Sequence, residues 1–161
     1  MEVRQTLIDV SNDARGWLKA WAGDFTEAEA TRTVPGGPNP LAWQLGHLAS
    51  VEDDVVSLFS GAALQVPAEL RAIVASGCPG PTAETRYPSL SELWSMLEAS
   101  HASLVGLAEK ATPADLDREP LTPNRFFRSL GQAIYEAALH ENYHVGEIGA
   151  LRKAIGKPKM G

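Results

Sequence analysis

Two histidines of the sequence, His140 and His144, lie four residues apart in a stretch that reads HENYH. If this stretch is helical, both side chains project from one face, about one turn apart. Their Cβ atoms are then ~5–6 Å apart, which lets two imidazoles share one metal ion at ~2.0–2.1 Å. Two partly exposed helix histidines have the same spacing, so the pattern alone leaves both interpretations open.

The neighbouring residues favour an inward orientation for these histidines. The pair lies near the edge of an apolar stripe, and small alanines beside it leave room for the rings. Inward imidazoles need polar partners, because an unpaired buried polar group is costly, and a metal ion is one such partner. His47 lies in the middle of another predicted helix and also faces inward. Three inward histidines from two helices match the three protein ligands that are typical of catalytic metal sites.

Polar residues near the histidines are candidates for a supporting role. Glu147 and Glu136 are the nearest carboxylates on the histidine face of the last helix. Either carboxylate can orient an imidazole through its second nitrogen or act as a base, and either can equally be a solvated surface residue. Gln44, one turn before His47, is a candidate polar contact for a bound cofactor.

A second pattern competes for the same residues. Glu98-x-x-His101 and Glu141-x-x-His144 match the Glu-x-x-His pairs of ferritin-like di-iron bundles, which also take one glutamate from each of the other two helices. These extra carboxylates are not expected. The acidic residues of the first helix lie off its apolar stripe, and Glu52 is expected to point away from His47. The acidic run 52–54 is predicted to be a solvated face, although Asp54 falls on the His47 side, two turns away. His101 is therefore interpreted as a core or boundary histidine with a hydrogen-bond partner.

Apolar residues recur at helical spacing along the chain, whereas the alternation typical of strands is nowhere sustained. The first predicted helix ends at Gly23. The second begins with Asn39 as its N-cap and Pro40 as its first helical residue, and it runs to about Gly61. A short helix is predicted at 66–76.

The later part of the chain holds two more long helices. The third opens at a capping box formed by Ser89 and Glu92 and runs to about Lys110. The fourth opens with the same pattern at 129–132 and runs to about Gly156. Four long helices with two fairly long connections predict an all-α four-helix bundle, with a single domain over 1–161.

Composition limits the classes of function. The chain has 161 residues, of which 44% are hydrophobic, and 14 basic against 20 acidic residues give a net charge of −6. This acidic balance argues against a nucleic-acid partner. There is no apolar stretch long enough for a membrane span and no secretory h-region. With one cysteine, Cys78, which is interpreted as incidental, we expect a cytoplasmic protein that acts on a small molecule.

Two stretches carry a resemblance to a known family. PNPLAWQLGHLASVEDDV and HENYHVGEIGALRKAIGKP, in this order and at this chain length, resemble the DinB/YfiT-like superfamily. The resemblance implies a four-helix bundle in which His47, His140 and His144 hold a divalent metal, and it implies a homodimer. Family members often carry glutamine three residues after the last histidine, where this chain has Glu147, a change that affects the surroundings of the metal or adds a ligand.

Several functions remain open at this point. Some members of the superfamily resemble hydrolases, and others transfer or isomerise groups with a low-molecular-weight thiol such as bacillithiol, mycothiol or glutathione. A divalent metal suits both, since it lowers the pKa of a bound water towards ~7 and deprotonates a bound thiol. The imidazole set does not distinguish Zn, Ni or Fe. The alternatives are a non-catalytic bundle with a stabilising or vestigial metal site and a di-iron carboxylate protein.

Overall fold

The computed structural model describes residues 2–77, 80–82 and 84–158, and this part of the chain is helical with no strands. The long helices are α1 (Val3–Ala22), α3 (Leu41–Ser60), α5 (Leu90–Lys110) and α7 (Leu130–Ile155), and the short helices are α2 (Glu27–Ala30), α4 (Ala68–Val74) and α6 (Pro113–Leu116). The all-α prediction is confirmed, and the four long helices form the bundle. Cys78 lies outside the described residues. None of the described helices is long and apolar enough to cross a membrane.

The bundle is built from two main helix pairs, α3 with α5 and α1 with α7. Their apolar side chains form two separate cores. One core lies towards the start of α3 and the end of α7, and it contains Leu45, Leu97 and Ile148. The other lies towards the end of α3 and the start of α7, and it contains Phe59 and Ile134. Polar side chains fill the level between the two cores.

A buried guanidinium links the four long helices at this level. Arg15 of α1 forms ion pairs with Glu52 of α3 (3.0 Å) and Glu141 of α7 (2.6 Å). It also donates to the carbonyl oxygen of Leu97 on α5 (3.0 Å) and contacts Glu98 (3.2 Å). Because every charge at this level has an opposite charge or a hydrogen-bond partner, the bundle can bury them.

The prediction that the acidic run 52–54 is solvated is wrong for two of its three residues. Glu52 is directed into the core by Arg15, and it also accepts from the Ser100 hydroxyl (2.7 Å). Asp53 is buried because its carboxylate accepts from the backbone N–H groups of residues 65 and 66 (2.8 and 2.9 Å). Asp54 is half exposed, as expected. The groups that bind Glu52 and Asp53 are not their sequence neighbours. A run of acidic residues in the sequence therefore does not show that these two side chains are buried.

The start of α3 also differs from the prediction. The helix begins at Leu41, and Pro40 stands at the N-cap with an extended ψ of 151° and no side-chain cap. Asn39 does not cap the helix. Its carbonyl oxygen accepts a hydrogen bond from the side-chain amide of Gln44 (2.8 Å), which connects the segment before α3 to the first turn of the helix. The predicted end at Gly61 is confirmed, and this residue has the left-handed conformation that favours glycine (φ 75°).

The other predicted helix ends are mostly confirmed. α1 ends before Gly23, α5 has the capping box at its start, and α7 ends before Gly156. At the start of α7 only half of the predicted box forms. Ser129 accepts from the backbone of Gln132, whereas the Gln132 side chain accepts from the Arg128 backbone instead. The short helix predicted at 66–76 is confined to 68–74.

We expect Arg15→Met to lower the free energy of unfolding by about 3–5 kcal/mol, because it leaves two buried carboxylates without their counter-ion. Chemical denaturation measures this loss. Arg4→Met is the matched control: Arg4 is paired with Glu2 at the surface, and its loss should cost less than about 1 kcal/mol. Equal losses in the two variants would contradict the role given to Arg15.

Candidate metal centre

The three predicted histidine ligands converge at one point in the bundle. His47 comes from α3, and His140 and His144 come from α7. The ring centroid of His47 lies 5.0 Å from that of His140 and 5.4 Å from that of His144, and the two α7 rings are 4.7 Å apart. One nitrogen from each ring lies within 4.8 Å of the other two. The structure therefore brings all three side chains together.

The end of the short helix α4 positions His47. The last carbonyl groups of a helix have no partner within the helix. Here the Val74 carbonyl accepts from Nδ1 of His47 (2.8 Å), and the Ile73 carbonyl accepts from the indole N–H of Trp43 (3.0 Å). Trp43 also stacks on His47, with 4.7 Å between ring centroids. Since a carbonyl only accepts, Nδ1 of His47 carries the proton, and Nε2 keeps its lone pair for a ligand.

Gln44 positions His144 and determines which of its ring nitrogens carries the proton. Its side-chain oxygen lies 3.0 Å from Nδ1 of His144, while its side-chain amide donates to the Asn39 carbonyl. The contact with Asn39 fixes which end of the amide is the oxygen, so Nδ1 of His144 is the donor. Nε2 of His144 is then unprotonated. Gln44 is fully buried against the imidazole, which makes it a positioning group for a ligand residue.

The imidazoles are held in their neutral form. Burial lowers the pKa of His47. Burial, followed by the proximity of His47, lowers the pKa of His140 to about 4. Burial, followed by the proximity of His140 and His47, lowers the pKa of His144 to about 3. Neutral imidazole is the form that binds metals, so no proton has to be displaced near neutral pH.

The nitrogen atoms at the centre of the group fit a divalent cation. Nε2 of His140 lies 3.2 Å from Nε2 of His144, and the latter nitrogen has no proton to donate. Nε2 of His47 also keeps its lone pair. Imidazole nitrogens gathered in this way are suitable ligands for one divalent transition metal. The residues present therefore fit a metal ion.

The two candidate carboxylates of α7 have different surroundings. Glu136 lines the cavity into which two of the histidines open. Glu147 is half buried, and among the described residues no hydrogen bond or ion pair joins it to the three histidines. The role of Glu147 as a base or as a supporting group remains a prediction.

The four residues of the di-iron alternative do not form one group among the described residues. His144 belongs to the histidine centre, and Glu98 is half exposed and pairs with Lys19 (2.8 Å). His101 is buried and lies 3.1 Å from the Asn12 side chain, which confirms its interpretation as a core histidine. A second group of potential ligands does exist in Glu52, His101 and Glu141. The positive charge that balances the two carboxylates of this group is already supplied by Arg15.

A cavity of about 1110 Å³ lies in front of the histidines. His47 and His140 are part of its wall, together with the end of α4, the later turns of α3 and residues 121, 122 and 124–127 of the loop before α7. His144 lies behind them. A ligand can therefore approach the centre from one side, which leaves a position for a substrate beside the three histidines.

Sequence reasoning missed the part that α4 plays. The two carbonyl groups at its end belong to Ile73 and Val74, and backbone atoms carry no signature in the sequence. The Trp-x-x-x-His spacing of Trp43 and His47 is the available signal, because two aromatic rings four residues apart stack on one helix face and can share a neighbouring helix end.

We expect His144→Ala to lose the metal while the bundle stays folded. Two remaining imidazoles bind a divalent ion much more weakly than three, and the apolar cores do not include the ion. Elemental analysis gives the metal content, and circular dichroism gives the helix content. His101→Gln is the matched control, since it changes the other buried histidine and should keep the metal. Equal metal contents in His144→Ala and the wild type would contradict the assignment.

We expect Gln44→Leu to weaken metal binding by about 10- to 100-fold, because His144 loses the acceptor that fixes its tautomer. Competition with a coloured chelator measures the affinity. Gln44→Glu keeps an acceptor oxygen at the same position and should lose less. If both variants bind metal like the wild type, Gln44 has no influence on the ligand.

Comparison with known proteins agrees with the fold. The sequence profile of the DinB superfamily matches residues 12–148. No curated protein matches the chain. A crystal structure of a conserved protein from Enterococcus faecalis is similar over 98% of this chain and 99% of its own, with a TM-score of 0.71 and 20% sequence identity, which shows a common fold. Since the profile covers most of the chain, this protein belongs to the DinB superfamily.

Proposed function

We propose that the protein is a metal-dependent enzyme that transfers a low-molecular-weight thiol to a small electrophile. One observation carries the proposal: three neutral histidines converge beside a cavity that reaches two of them. A centre with only a structural role has no need of such an opening. Catalytic metal sites, in contrast, combine three protein ligands with a position open to substrate.

The volume of the cavity is compatible with a reaction between two molecules. Pockets for one drug-sized ligand measure about 300–1,000 Å³. The cavity here, at about 1110 Å³, has room for a thiol and an electrophile together. Hydrolysis of a single substrate is the second candidate, because the same ligands suit it.

The roles of the side chains follow from their contacts. His47, His140 and His144 would hold the ion, which supplies Lewis-acid chemistry by lowering the pKa of a thiol or water that it binds. Val74 and Gln44 keep the Nδ1 protons of His47 and His144 in place. The cavity wall holds the electrophile next to the sulfur. The sulfur then forms a bond to the electrophilic carbon, the leaving group departs with its electron pair, and the thiol proton goes to solvent.

Location and assembly belong to the same proposal. We expect a cytoplasmic homodimer, an expectation that rests on composition and on the resemblance to the superfamily. Tyr135, Leu139 and Tyr143 form an exposed apolar row on α7 and are the first surface to examine for a dimer contact. Light scattering at micromolar concentration should give twice the mass of the chain.

A paired activity screen tests the reaction class. Protein loaded with Zn²⁺, Ni²⁺ or Fe²⁺ is mixed with 1-chloro-2,4-dinitrobenzene and a thiol, and separately with p-nitrophenyl acetate and no thiol. We expect turnover that requires both metal and thiol, and its loss in His140→Ala. Turnover of the ester alone would favour a hydrolase. Lack of turnover in both reactions, in protein shown to contain metal, would favour a structural centre.

A further inference from the structure

The charges on the cavity wall are not all compensated. The wall holds four charged side chains, Asp54, Arg71, Arg125 and Glu136. Arg71 pairs with Asp54 and also with Asp53, so its charge is neutralised. Within the part of the chain that the structure describes, neither Arg125 nor Glu136 takes part in an ion pair. The cavity thus offers a ligand one free positive and one free negative group.

Arg125 is exposed and lies on a loop that is attached to the bundle. The loop is joined to the end of α3 by hydrogen bonds from the Leu121 backbone and from the Arg118 side chain (3.0 and 2.9 Å). Asn124 accepts from two following backbone N–H groups (2.8 and 3.1 Å), which fixes the turn. The guanidinium lies 4.6 Å from the centroid of the Phe126 ring. Stacking uses its face and leaves its N–H edges for a carboxylate.

Glu136 stands on the same helix as two of the metal ligands. It precedes His140 by four residues, which places it about 6 Å further along the helix axis. Its side chain is half buried in the cavity wall. A ligand whose reacting atom lies at the histidine centre can therefore place a cationic group against Glu136 one helical turn away.

The remaining wall suits the body of a small organic molecule. Apolar atoms form the greater part of its surface, among them those of Val51, Leu58 and Phe127. A ligand that matches this wall has an apolar or neutral body, a carboxylate on the side of Arg125 and an ammonium group on the side of Glu136. Amino acids and small peptides have this combination of charges.

We propose that the cavity binds a zwitterionic small molecule, with Arg125 binding its carboxylate and Glu136 binding its ammonium group. This inference rests on the proposed function and deepens it, because it names the thiol substrate as an amino-acid- or peptide-derived thiol. Arg125 and Glu136 then determine specificity, while the histidine centre carries the chemistry.

Three forms of one thiol test the two contacts. Glutathione has both charges, N-acetylglutathione lacks the ammonium group, and glutathione diethyl ester lacks the carboxylates. Each is titrated into Co²⁺-loaded protein, and the thiolate-to-cobalt absorption band reports binding. We expect glutathione to bind about tenfold more tightly than either blocked form, because each blocking group removes one charged hydrogen bond.

Substitutions on the protein side should mirror these losses. In Arg125→Gln, glutathione should bind about tenfold more weakly, and the diethyl ester should be unaffected. In Glu136→Gln, the binding of glutathione should weaken by a similar factor, and the binding of the N-acetyl form should be unaffected. Arg128→Gln, an exposed change in the same loop outside the cavity wall, is the matched control and should bind all three forms like the wild type.

The outcomes separate this inference from the proposed function. Equal binding of the three thiols to the wild type overturns the inference and leaves a metal centre that binds thiols. If no thiol changes the cobalt spectrum, thiol transfer is wrong, and S-methylglutathione, which has no free thiol, tests the cavity alone. Calorimetry should then show binding that weakens about tenfold in Arg125→Gln and in Glu136→Gln. Absence of that binding, or equal binding in all proteins, overturns the inference.

Discussion

The position of the histidine centre depends on one buried ion network. Arg15 holds Glu52 of α3 and Glu141 of α7 through a single guanidinium. Glu141 directly follows His140, and Glu52 lies five residues beyond His47 on the same helix. Because both helices are fixed to one rigid planar group, their mutual register is fixed as well, and with it the meeting point of the histidines.

Rules for buried polar groups decide which nitrogen faces the centre. An imidazole inside a bundle must find partners for its polar atoms. The end of α4 offers His47 a free carbonyl, and Gln44 offers His144 an amide oxygen. Both partners accept at Nδ1, so both Nε2 atoms are left without a proton, and that of His144 lies 3.2 Å from Nε2 of His140. The same hydrogen bonds that stabilise the fold thus prepare the donor set for a cation.

Much of the fold and of the centre could be predicted from local patterns. Capping residues and apolar periodicity located the long helices, because helix ends and helix faces are determined within a few turns of sequence. His140 and His144 were identifiable from their spacing, and His47 from its position on an inward face. The histidine set therefore needed only the assumption that α3 and α7 are neighbours, which the structure confirms.

The features that escaped prediction depend on contacts between distant parts of the chain. Glu52 and Asp53 are buried because Arg15 and the backbone at 65–66 neutralise or bind them, and no local pattern reveals such partners. The Glu98-x-x-His101 motif resembled a di-iron site because spacing alone does not show that Glu98 reaches the surface. The role of α4 was hidden because it is carried by backbone carbonyls.

X-ray absorption at the metal edge of the zinc-loaded protein tests the central claim most directly. One zinc ion bound by His47, His140 and His144 predicts three imidazole nitrogens at ~2.0–2.1 Å and the multiple-scattering pattern of the rings. It also predicts no second metal nearby. A shell dominated by carboxylate oxygens, or a second metal at about 3.5–4 Å, would instead place the ion in the group formed by Glu52 and Glu141 and would contradict the three-histidine centre.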